Sequence, residues 1–326
     1  MRIALLLLGY ALTLGVLGPV LLRRAGWAAR SPRLGIWAWQ ALTASAVLSV
    51  ALAGLAVAVP TVPVSGGLAD MLHACVMALR QRYAAPGGAA LAASGAVLAL
   101  TLLARVGWCL AASLTQARRE RSRHAMVLAL VGRARRDLGV TILDDERPAA
   151  YCLPGHRHRI VLTSAAVAAL DPQALKAVIA HERAHIRQRH HLVLAYTAAL
   201  ERAFPRVRLF ATAADETRRL VEMAADDEAT ARCDAPTLAG ALLELAGAAA
   251  PTASLAASGG YVAGRVRRLL GPRRPLGRAA AWTVALAAGA LLMLPLVVAT
   301  QPAVAAAGMT TCPLTDAPMP TASAAA

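Results

Sequence analysis

The sequence predicts a mainly α-helical protein that crosses a membrane four times and carries one α+β domain outside the bilayer. The chain has 326 residues, of which 58% are hydrophobic, and its mean hydropathy is +0.53. That composition is too apolar for an ordinary soluble protein. Four apolar runs have about the 20 residues that a helix needs to cross a bilayer. The segment 115–278 between the third and fourth runs is long enough to form a domain with its own core.

The predicted transmembrane helices are 3–22, 34–59, 89–114 and 279–300. Arg105 interrupts the third, near one end, where its side chain could reach the membrane surface. The first run could instead be a signal peptide. Its long apolar stretch, preceded by Arg2 and followed by Arg23 and Arg24, favours a spanning helix.

Arginine clusters follow the first and third spans and precede the fourth. The positive-inside rule therefore places 115–278 in the cytoplasm of a bacterial cell and both termini outside its plasma membrane. The tail 301–326 contains no Lys or Arg and is expected to be an external disordered segment. The net charge of +16 could also suggest a nucleic-acid partner. Juxtamembrane arginines are better explained by topology and an anionic lipid bilayer, because no aromatic residues or binding motif accompany them.

The five cysteines form no CxxC pair and show no zinc-finger spacing. Cys152 and Cys233 are expected to be cytoplasmic and reduced. Cys75 and Cys312 would both face outside, where a disulfide between them is possible, although two unrelated thiols are the default interpretation.

The sequence pattern of 115–278 predicts a helix, then a β-hairpin, then further helices. The expected helix is 126–138, and the expected strands are 150–153 and 159–163 around Pro154-Gly155. We interpret 160–163 as an exposed edge strand to which a peptide could add. Asp171-Pro172 begins a helix that is expected to continue past His191. Two more helices are predicted at 216–231 and 236–249.

The run HERAH at 181–185 predicts a zinc centre. His181 and His185 are one helical turn apart, so both imidazoles can bind one Zn²⁺. Glu182 lies beside the first ligand and is the predicted catalytic base, which would take a proton from water and later give one to the leaving amine. The alternative to a zinc site is a solvent-exposed helix face that is rich in His and Arg and binds no metal.

Glu222 is the best candidate for the third protein ligand. It lies four residues before Asp226 on a predicted helix, so both carboxylates share one face. Asp226 would then accept a hydrogen bond from a ligand imidazole. The small residues Ala225 and Ala229 would allow this helix to approach the HERAH helix closely.

These motifs resemble the membrane metallopeptidases of the β-lactam sensors BlaR and MecR, a gluzincin group related to the HtpX-like proteases. The resemblance is carried by AYCLPGHRHRIVLT at 150–163, KAVIAHERAHIRQRHH at 176–191 and EMAAD at 222–226, together with the four spans. It implies a gluzincin-like metallopeptidase domain in which His181, His185 and Glu222 bind one zinc ion. It also implies that Glu182 is the base, and that the substrate is a protein, with a winged-helix repressor of the BlaI type as one candidate.

Two features depart from the relatives. The β-lactam sensors carry a large external domain after the last span, where this sequence has 301–326, so sensing of β-lactams by that route is not expected. HtpX-like enzymes usually have a His before the Arg of the stretch that resembles GYVAGRVRRLL at 260–270. Without it the group that stabilises the oxyanion is open, and Tyr261, Arg265 and Tyr196 are weak candidates.

Several functions remain possible at this point. The sequence favours a regulatory zinc endopeptidase, and a housekeeping protease for membrane proteins is the alternative. A non-enzymatic signalling scaffold would not require Glu182 beside a metal ligand. A transporter is disfavoured because Arg105 is the single charge within a predicted span and no inverted repeat is visible. The sequence leaves the oligomeric state open.

Overall fold

The computed structural model describes residues 1–59, 76–77, 80, 86–154, 159–249, 255–272 and 274–308. Cys75 and Cys312 lie outside these ranges, so a disulfide between them stays a prediction. His156 and His158, which the sequence predicts in a basic exposed loop, lie outside them too. The prediction of a disordered tail from residue 301 is wrong for 301–308, which continue the last helix, and stays a prediction for 309–326.

Within these described residues, four helices are long and apolar enough to cross a membrane. They are α1 (Arg2–Arg24), α3 (Pro32–Ala58), α4 (Gly88–Val131) and α11 (Arg278–Gly308), and a short helix α2 (Trp27–Arg30) links the first two. Their positions agree with the four predicted spans. The chain is thus a multi-pass membrane protein by length and composition of its helices.

Helix α3 lies at the centre of the membrane bundle and contacts α1, α4 and α11. Its close approach to α4 depends on two glycines. A Cβ atom built on Gly54 would lie 2.7 Å from the carbonyl oxygen of Gly95, and one on Gly95 would lie 2.6 Å from that of Gly54. Small residues allow such backbone contact between helices in lipid.

A proline in α11 explains two buried hydroxyl contacts. Pro295 has no N–H group, so the carbonyl of Leu291, one turn earlier, lacks its helical partner. Tyr10 of α1 donates to that oxygen at 2.9 Å, and Ser45 of α3 donates to it at 2.7 Å. These bonds satisfy the carbonyl inside the membrane region and join three of the spans.

Helix α4 continues far beyond its apolar part, over 44 residues. The predicted separate helix at 126–138 is therefore wrong: its first part belongs to α4, and Gly132 ends that helix. Arg105 is exposed, and its Nε donates to the carbonyl of Ala203 at 2.7 Å. That carbonyl ends a helix of the peripheral domain, so Arg105 connects the third span to this domain.

A four-stranded sheet follows α4 instead of an isolated hairpin. Its strands are β1 (Arg133–Arg135), β2 (Val140–Leu143), β3 (Ala150–Leu153) and β4 (Arg159–Thr163), in the order β1-β2-β4-β3. The β2–β4 pair is parallel and the other two pairs are antiparallel. The prediction that 160–163 forms the edge was wrong, because all four of these residues are buried at the sheet centre. The edge strands are β1 and β3.

Between the sheet and α11, the described residues form the helices α5 (Ser164–Ala169), α6 (Pro172–Arg187), α7 (His190–Ala203), α8 (Arg208–Ala229), α9 (Ala235–Ala249) and α10 (Leu255–Leu270). Asp171 caps α6 as predicted, accepting from two backbone N–H groups. The expected continuation past His191 is wrong. Arg189 adopts a left-handed conformation with φ of 51°, which ends one helix and starts the next.

The peripheral domain packs directly on the membrane bundle. Trp39 and Leu42 of α3 share a buried cluster with Leu209, Leu220 and Val221 of α8. A second cluster fills the space between the sheet and α6, where Leu162 meets residues such as Val178 and Ile179. Helix α8 therefore lies between the membrane spans and the rest of the domain.

Candidate metal centre

Helices α6 and α8 bring three potential ligand atoms to one point. The Nε2 atoms of His181 and His185 lie 3.1 Å apart on adjacent turns of α6. From α8, one carboxylate oxygen of Glu222 lies 3.5 Å from Nε2 of His181, and the other lies 3.6 Å from Nε2 of His185. Within the described part of the chain these side chains form the group that could hold a metal ion.

The chemistry and spacing of this group fit Zn²⁺. Ligands at 2.0–2.1 Å from a tetrahedral ion lie about 3.3 Å from one another, close to the separations of 3.1–3.6 Å found here. Two imidazoles and one carboxylate form a donor set typical of catalytic zinc, which leaves one position for water or substrate. His181 is 5% exposed, so its nitrogen is held in a protected site.

Asp226 and Arg265 contact the ligand side chains and hold them in place. Oδ1 of Asp226 lies 3.1 Å from Nδ1 of His181, at hydrogen-bonding distance, although the two groups are not well aligned. Asp226 is fully buried and accepts two bonds from Arg265 of α10, at 2.6 and 2.8 Å. Nη1 of Arg265 also lies 3.0 Å from Glu222. The guanidinium thus fixes both carboxylates, and a sequence pattern gives no sign of this pairing.

His190 performs a similar role for His185. Their Nδ1 atoms lie 3.0 Å apart, and Nε2 of His190 lies 3.2 Å from Oε1 of Gln188. If Nε2 of His185 binds metal, its Nδ1 carries the proton and donates to His190. His190 must then donate through Nε2 to Gln188, whose Oε1 also accepts from Arg33 at 3.2 Å. The tautomers form one consistent chain from the metal site to the start of α3.

Glu182 and Cys152 face each other in the same cavity. Glu182 is outside the ligand group, as its predicted role as a base requires, and Cys152 of strand β3 lines the same cavity close to it. Burial raises the pKa of Glu182. Burial and the Glu182 carboxylate raise the pKa of Cys152 to about 12, so this thiol stays protonated and can donate. Cys152 also pairs with Ile160 in the β3–β4 ladder.

The cavity has a volume of about 400 Å³ and two contrasting walls. One wall is the edge strand β3, which contributes Ala150, Tyr151 and Cys152. Another is an apolar stripe of α9, formed by Leu238, Leu242 and Leu245 at helical spacing. The metal-binding group lies between them. An extended peptide could therefore lie along a strand edge while one of its side chains contacts leucines.

The charges of the two imidazoles differ before a metal binds. Burial lowers the pKa of His181, but the Asp226 and Glu222 carboxylates, which accept from the protonated imidazole, outweigh burial and raise it to about 9. Burial lowers the pKa of His185 to about 4. For Glu222, contacts with His181 and Arg265 outweigh burial and lower the pKa to about 2. At neutral pH one imidazole is protonated and the other is neutral.

The structure separates the three candidates for oxyanion stabilisation. Tyr196 packs against the cluster shared with the membrane spans and lies away from the cavity. Arg265 lines the cavity, but its guanidinium already binds two carboxylates. Tyr261 lies near Glu222, and burial together with that carboxylate raises its pKa, so the phenol keeps its proton.

The small residues that were expected to allow close approach of α8 to α6 do lie between these helices. Ala225 and Ala229 are both fully buried, and Ala229 shares a cluster with Ala177 and Ala180 of α6.

The fold and the site define a membrane-associated zinc metallopeptidase. Residues 113–272 match the model of Peptidase family M48, so the chain carries an M48 peptidase domain on its membrane helices. M48 peptidases are zinc-dependent metalloproteases, and the chain is accordingly an enzyme that hydrolyses peptide bonds. No curated protein and no solved structure matches the chain. The narrower likeness to the β-lactam sensors stays a prediction.

Proposed function

We propose that the protein is an integral membrane zinc endopeptidase in which His181, His185 and Glu222 hold one Zn²⁺. The observation that carries this proposal is the convergence of two imidazoles and one carboxylate. The two Nε2 atoms lie 3.1 Å apart, and each lies 3.5–3.6 Å from one oxygen of Glu222, in a cavity that also contains Glu182. The bound ion would supply a Lewis acid that polarises the peptide carbonyl and lowers the pKa of an attacking water.

Glu182 is the general base in this proposal. Its raised pKa brings a carboxylate closer to the pH at which it can both accept a proton from water and return one to the leaving amine. The thiol of Cys152 orients the carboxylate from the side of strand β3. Tyr261 is the candidate donor to the developing oxyanion, since its phenol stays protonated near Glu222.

The substrate is expected to be a polypeptide in extended conformation. Strand β3 is paired on one side, with β4, and Ala150, Tyr151 and Cys152 of this strand line the cavity. A peptide that pairs with this edge would pass the metal-binding group. The leucines of α9 would then favour an apolar side chain next to the cleaved bond. Replacement of Leu242 by Ser should reduce cleavage beside apolar residues more than cleavage beside polar ones, as measured with a peptide library.

Proteolysis by the purified full chain tests the proposal. We expect cleavage of unfolded β-casein to be lost in Glu182→Gln, while zinc content measured by mass spectrometry stays near one ion per chain. The double variant His181→Ala, His185→Ala should lose both zinc and activity. Full zinc occupancy in the double variant would contradict the ligand assignment, and undiminished cleavage by Glu182→Gln would contradict the role of the base.

We also propose that residues 115–278 form a cytoplasmic peptidase domain and that both termini are external. The arginine clusters support this orientation. In a chain whose native cysteines are replaced by serine, an impermeant maleimide should label Ala89→Cys from outside but not Ser122→Cys. The opposite pattern would move the active site to the other compartment.

The biological role is proposed from the resemblance to the β-lactam sensors. It is a regulatory cleavage of one cytoplasmic or membrane-associated protein, such as a winged-helix repressor of the BlaI type. Proteomic comparison of cells carrying the native chain or Glu182→Gln separates this role from housekeeping. A regulatory enzyme should change one or a few proteins at a defined bond. Accumulation of many unrelated membrane proteins, with every repressor unchanged in length, would favour housekeeping.

A further inference from the structure

A second cavity, of about 510 Å³, lies at the boundary between the peripheral domain and the membrane helices. One wall is the link between the first two spans and contains Ala29 and Arg30. The other wall runs from α10 to the start of the fourth span and contains Arg268, Pro272, Arg274 and Pro275. Both walls are therefore chain segments that lead directly into spans, and the zinc-binding residues are not among its lining residues.

The depth of this cavity is that of lipid headgroups. It lies next to the start of α11 at Arg278, beside the arginine-rich ends of the spans. Three exposed tryptophans mark the same level of the bundle: Trp37 and Trp282 are near the starts of α3 and α11, and Trp108 is near the end of the apolar part of α4. Tryptophan is enriched where a membrane meets water, because its ring is apolar and its N–H is polar. These rings mark the membrane–water boundary independently of the arginines.

Three arginines give this cavity a positive lining, and hydrogen bonds to the protein hold one of them, Arg268, in place. Arg268 donates through Nε to the carbonyl of Ala29 at 2.9 Å and through Nη2 to Asp227 at 2.8 Å. These bonds hold its guanidinium in place at the cavity. Among the residues that the structure describes, no carboxylate pairs with Arg30 or with Arg274. Asp227 offsets one of the three charges, so the lining keeps a net charge of +2 from its arginines.

We propose that this cavity binds the phosphate of an anionic phospholipid, with Arg30, Arg268 and Arg274 as its contacts. Guanidinium groups donate to phosphate oxygens in a planar, two-pronged geometry. A lipid is the expected source, because the cavity opens where headgroups lie and its acyl chains could extend along the exposed apolar surfaces of α1 and α11. A bound headgroup would join the α2 link to α10, which carries Arg265 of the metal centre one turn before Arg268.

Native mass spectrometry of the detergent-purified full chain tests this site. The probes are phosphatidylglycerol and phosphatidylcholine, titrated separately, and inorganic phosphate is the competitor. The native protein should bind one phosphatidylglycerol clearly more tightly than any further copy. Arg30→Gln with Arg274→Gln should weaken that first binding roughly 10-fold or more, at about tenfold per 1.4 kcal/mol of lost phosphate contact.

A matched control carries Arg118→Gln and Arg119→Gln, which remove the same charge from exposed positions on α4 outside the cavity. This variant should retain the tight phosphatidylglycerol, and both variants should keep the native unfolding temperature. Equal weakening in the two variants would reduce the effect to general surface charge and overturn the proposal. Equal binding of phosphatidylcholine, or displacement of the lipid by millimolar inorganic phosphate, would overturn it too.

Discussion

The two faces of helix α8 differ in chemistry although they belong to the same turns. One face carries Glu222 and Asp226, which contact the histidines of α6 and Arg265. The opposite face carries Leu220, Met223 and Ala224, which pack with Trp39 and Leu42 of the central span. Each polar residue of the first face lies within two positions of an apolar residue of the second.

This arrangement teaches that the metal centre is built directly on the membrane bundle. A soluble metallopeptidase domain would bury the back of such a helix inside its own core. Here the back of α8 is covered by α3, so the position of Glu222 depends on how the spans pack. The polar face depends on charge pairing and the apolar face on close packing. The expected effects of substitution on the two faces therefore differ in kind and size.

The largest effect is expected on the polar face, from Asp226→Ala. This change leaves Arg265 buried, with 7% exposure, and without its bidentate partner. Removal of one partner of a buried ion pair costs about 3–5 kcal/mol. We expect a large drop in the thermal unfolding temperature of the purified protein and weaker zinc binding.

The paired variant Asp226→Asn, Arg265→Gln is the control, because it removes both charges at once. It should recover part of the unfolding temperature lost in Asp226→Ala. An Asp226→Ala protein as stable as the native one would show that the buried pair does not stabilise the domain.

A smaller effect is expected on the apolar face, from Gly35→Ala in α3. The new methyl would lie 2.9 Å from Leu220, a fully buried side chain, and 3.2 Å from Ala28. Overpacking of this kind costs about 1–3 kcal/mol. Because Leu220 precedes Glu222 by two residues, we also expect the zinc dissociation constant to rise roughly 2- to 30-fold, which corresponds to about 0.5–2 kcal/mol of coupling.

Two comparisons make this test specific. In a Leu220→Val background the penalty of Gly35→Ala should shrink, since the smaller side chain leaves room. Gly15→Ala in α1 should change nothing, because a methyl there has no neighbour within 4 Å. If the two glycine variants behave alike, packing at α3 does not position the metal ligand.

The uneven charges of the two imidazoles lead to a prediction for zinc uptake. His181, with a pKa of about 9, must lose a proton to bind the metal, whereas His185, with a pKa of about 4, is already neutral. Protons compete with the metal below the higher pKa, so the apparent affinity should rise about tenfold per pH unit between about pH 5 and 6.5. Calorimetry in two buffers of different ionisation enthalpy should detect release of about one proton per ion.

Asp226→Asn sharpens this measurement. It removes a negative charge that raises the pKa of His181, so fewer protons should be released at the same pH. Release of two protons by the native protein would mean that both histidines start charged, which contradicts the asymmetry.

Local sequence signals predicted the parts of the molecule that depend on spacing alone. Apolar length located the starts of the four spanning helices within a few residues, and one-turn spacing brought His181 to His185 and Glu222 to Asp226. The Asp171 cap marked the start of α6. Each of these signals acts within a helix, where neighbours along the chain are neighbours in space.

Contacts between distant segments could not be predicted in the same way. The strand order β1-β2-β4-β3 places β3 at the edge, and alternation within a short strand does not reveal which neighbour it pairs with. Arg265 and His190 support the ligands through side chains whose partners lie on other turns or helices. The break at Arg189 had no glycine or proline to signal it. The sequence from 172 to past His191 reads as one continuous helix, so it did not predict that the chain bends at Arg189 and brings His190 to His185.

The smallest effect on zinc affinity is expected from Arg33→Ala, at the start of α3. Arg33 pairs with Glu228 at 2.5 Å and donates to Gln188, so these contacts join the start of α3 to the hydrogen-bond chain of His190 and His185. Its side chain is 60% exposed, and Arg187 also pairs with Glu228. Exposed ion pairs contribute about 0–1 kcal/mol, and His190 can keep its bond to Gln188 without the arginine. We therefore expect Arg33→Ala to change the zinc dissociation constant less than Gly35→Ala does, with the difference persisting at high salt. A larger effect from Arg33→Ala that disappears at high salt would mean that charge, rather than close packing, connects the membrane spans to the metal centre.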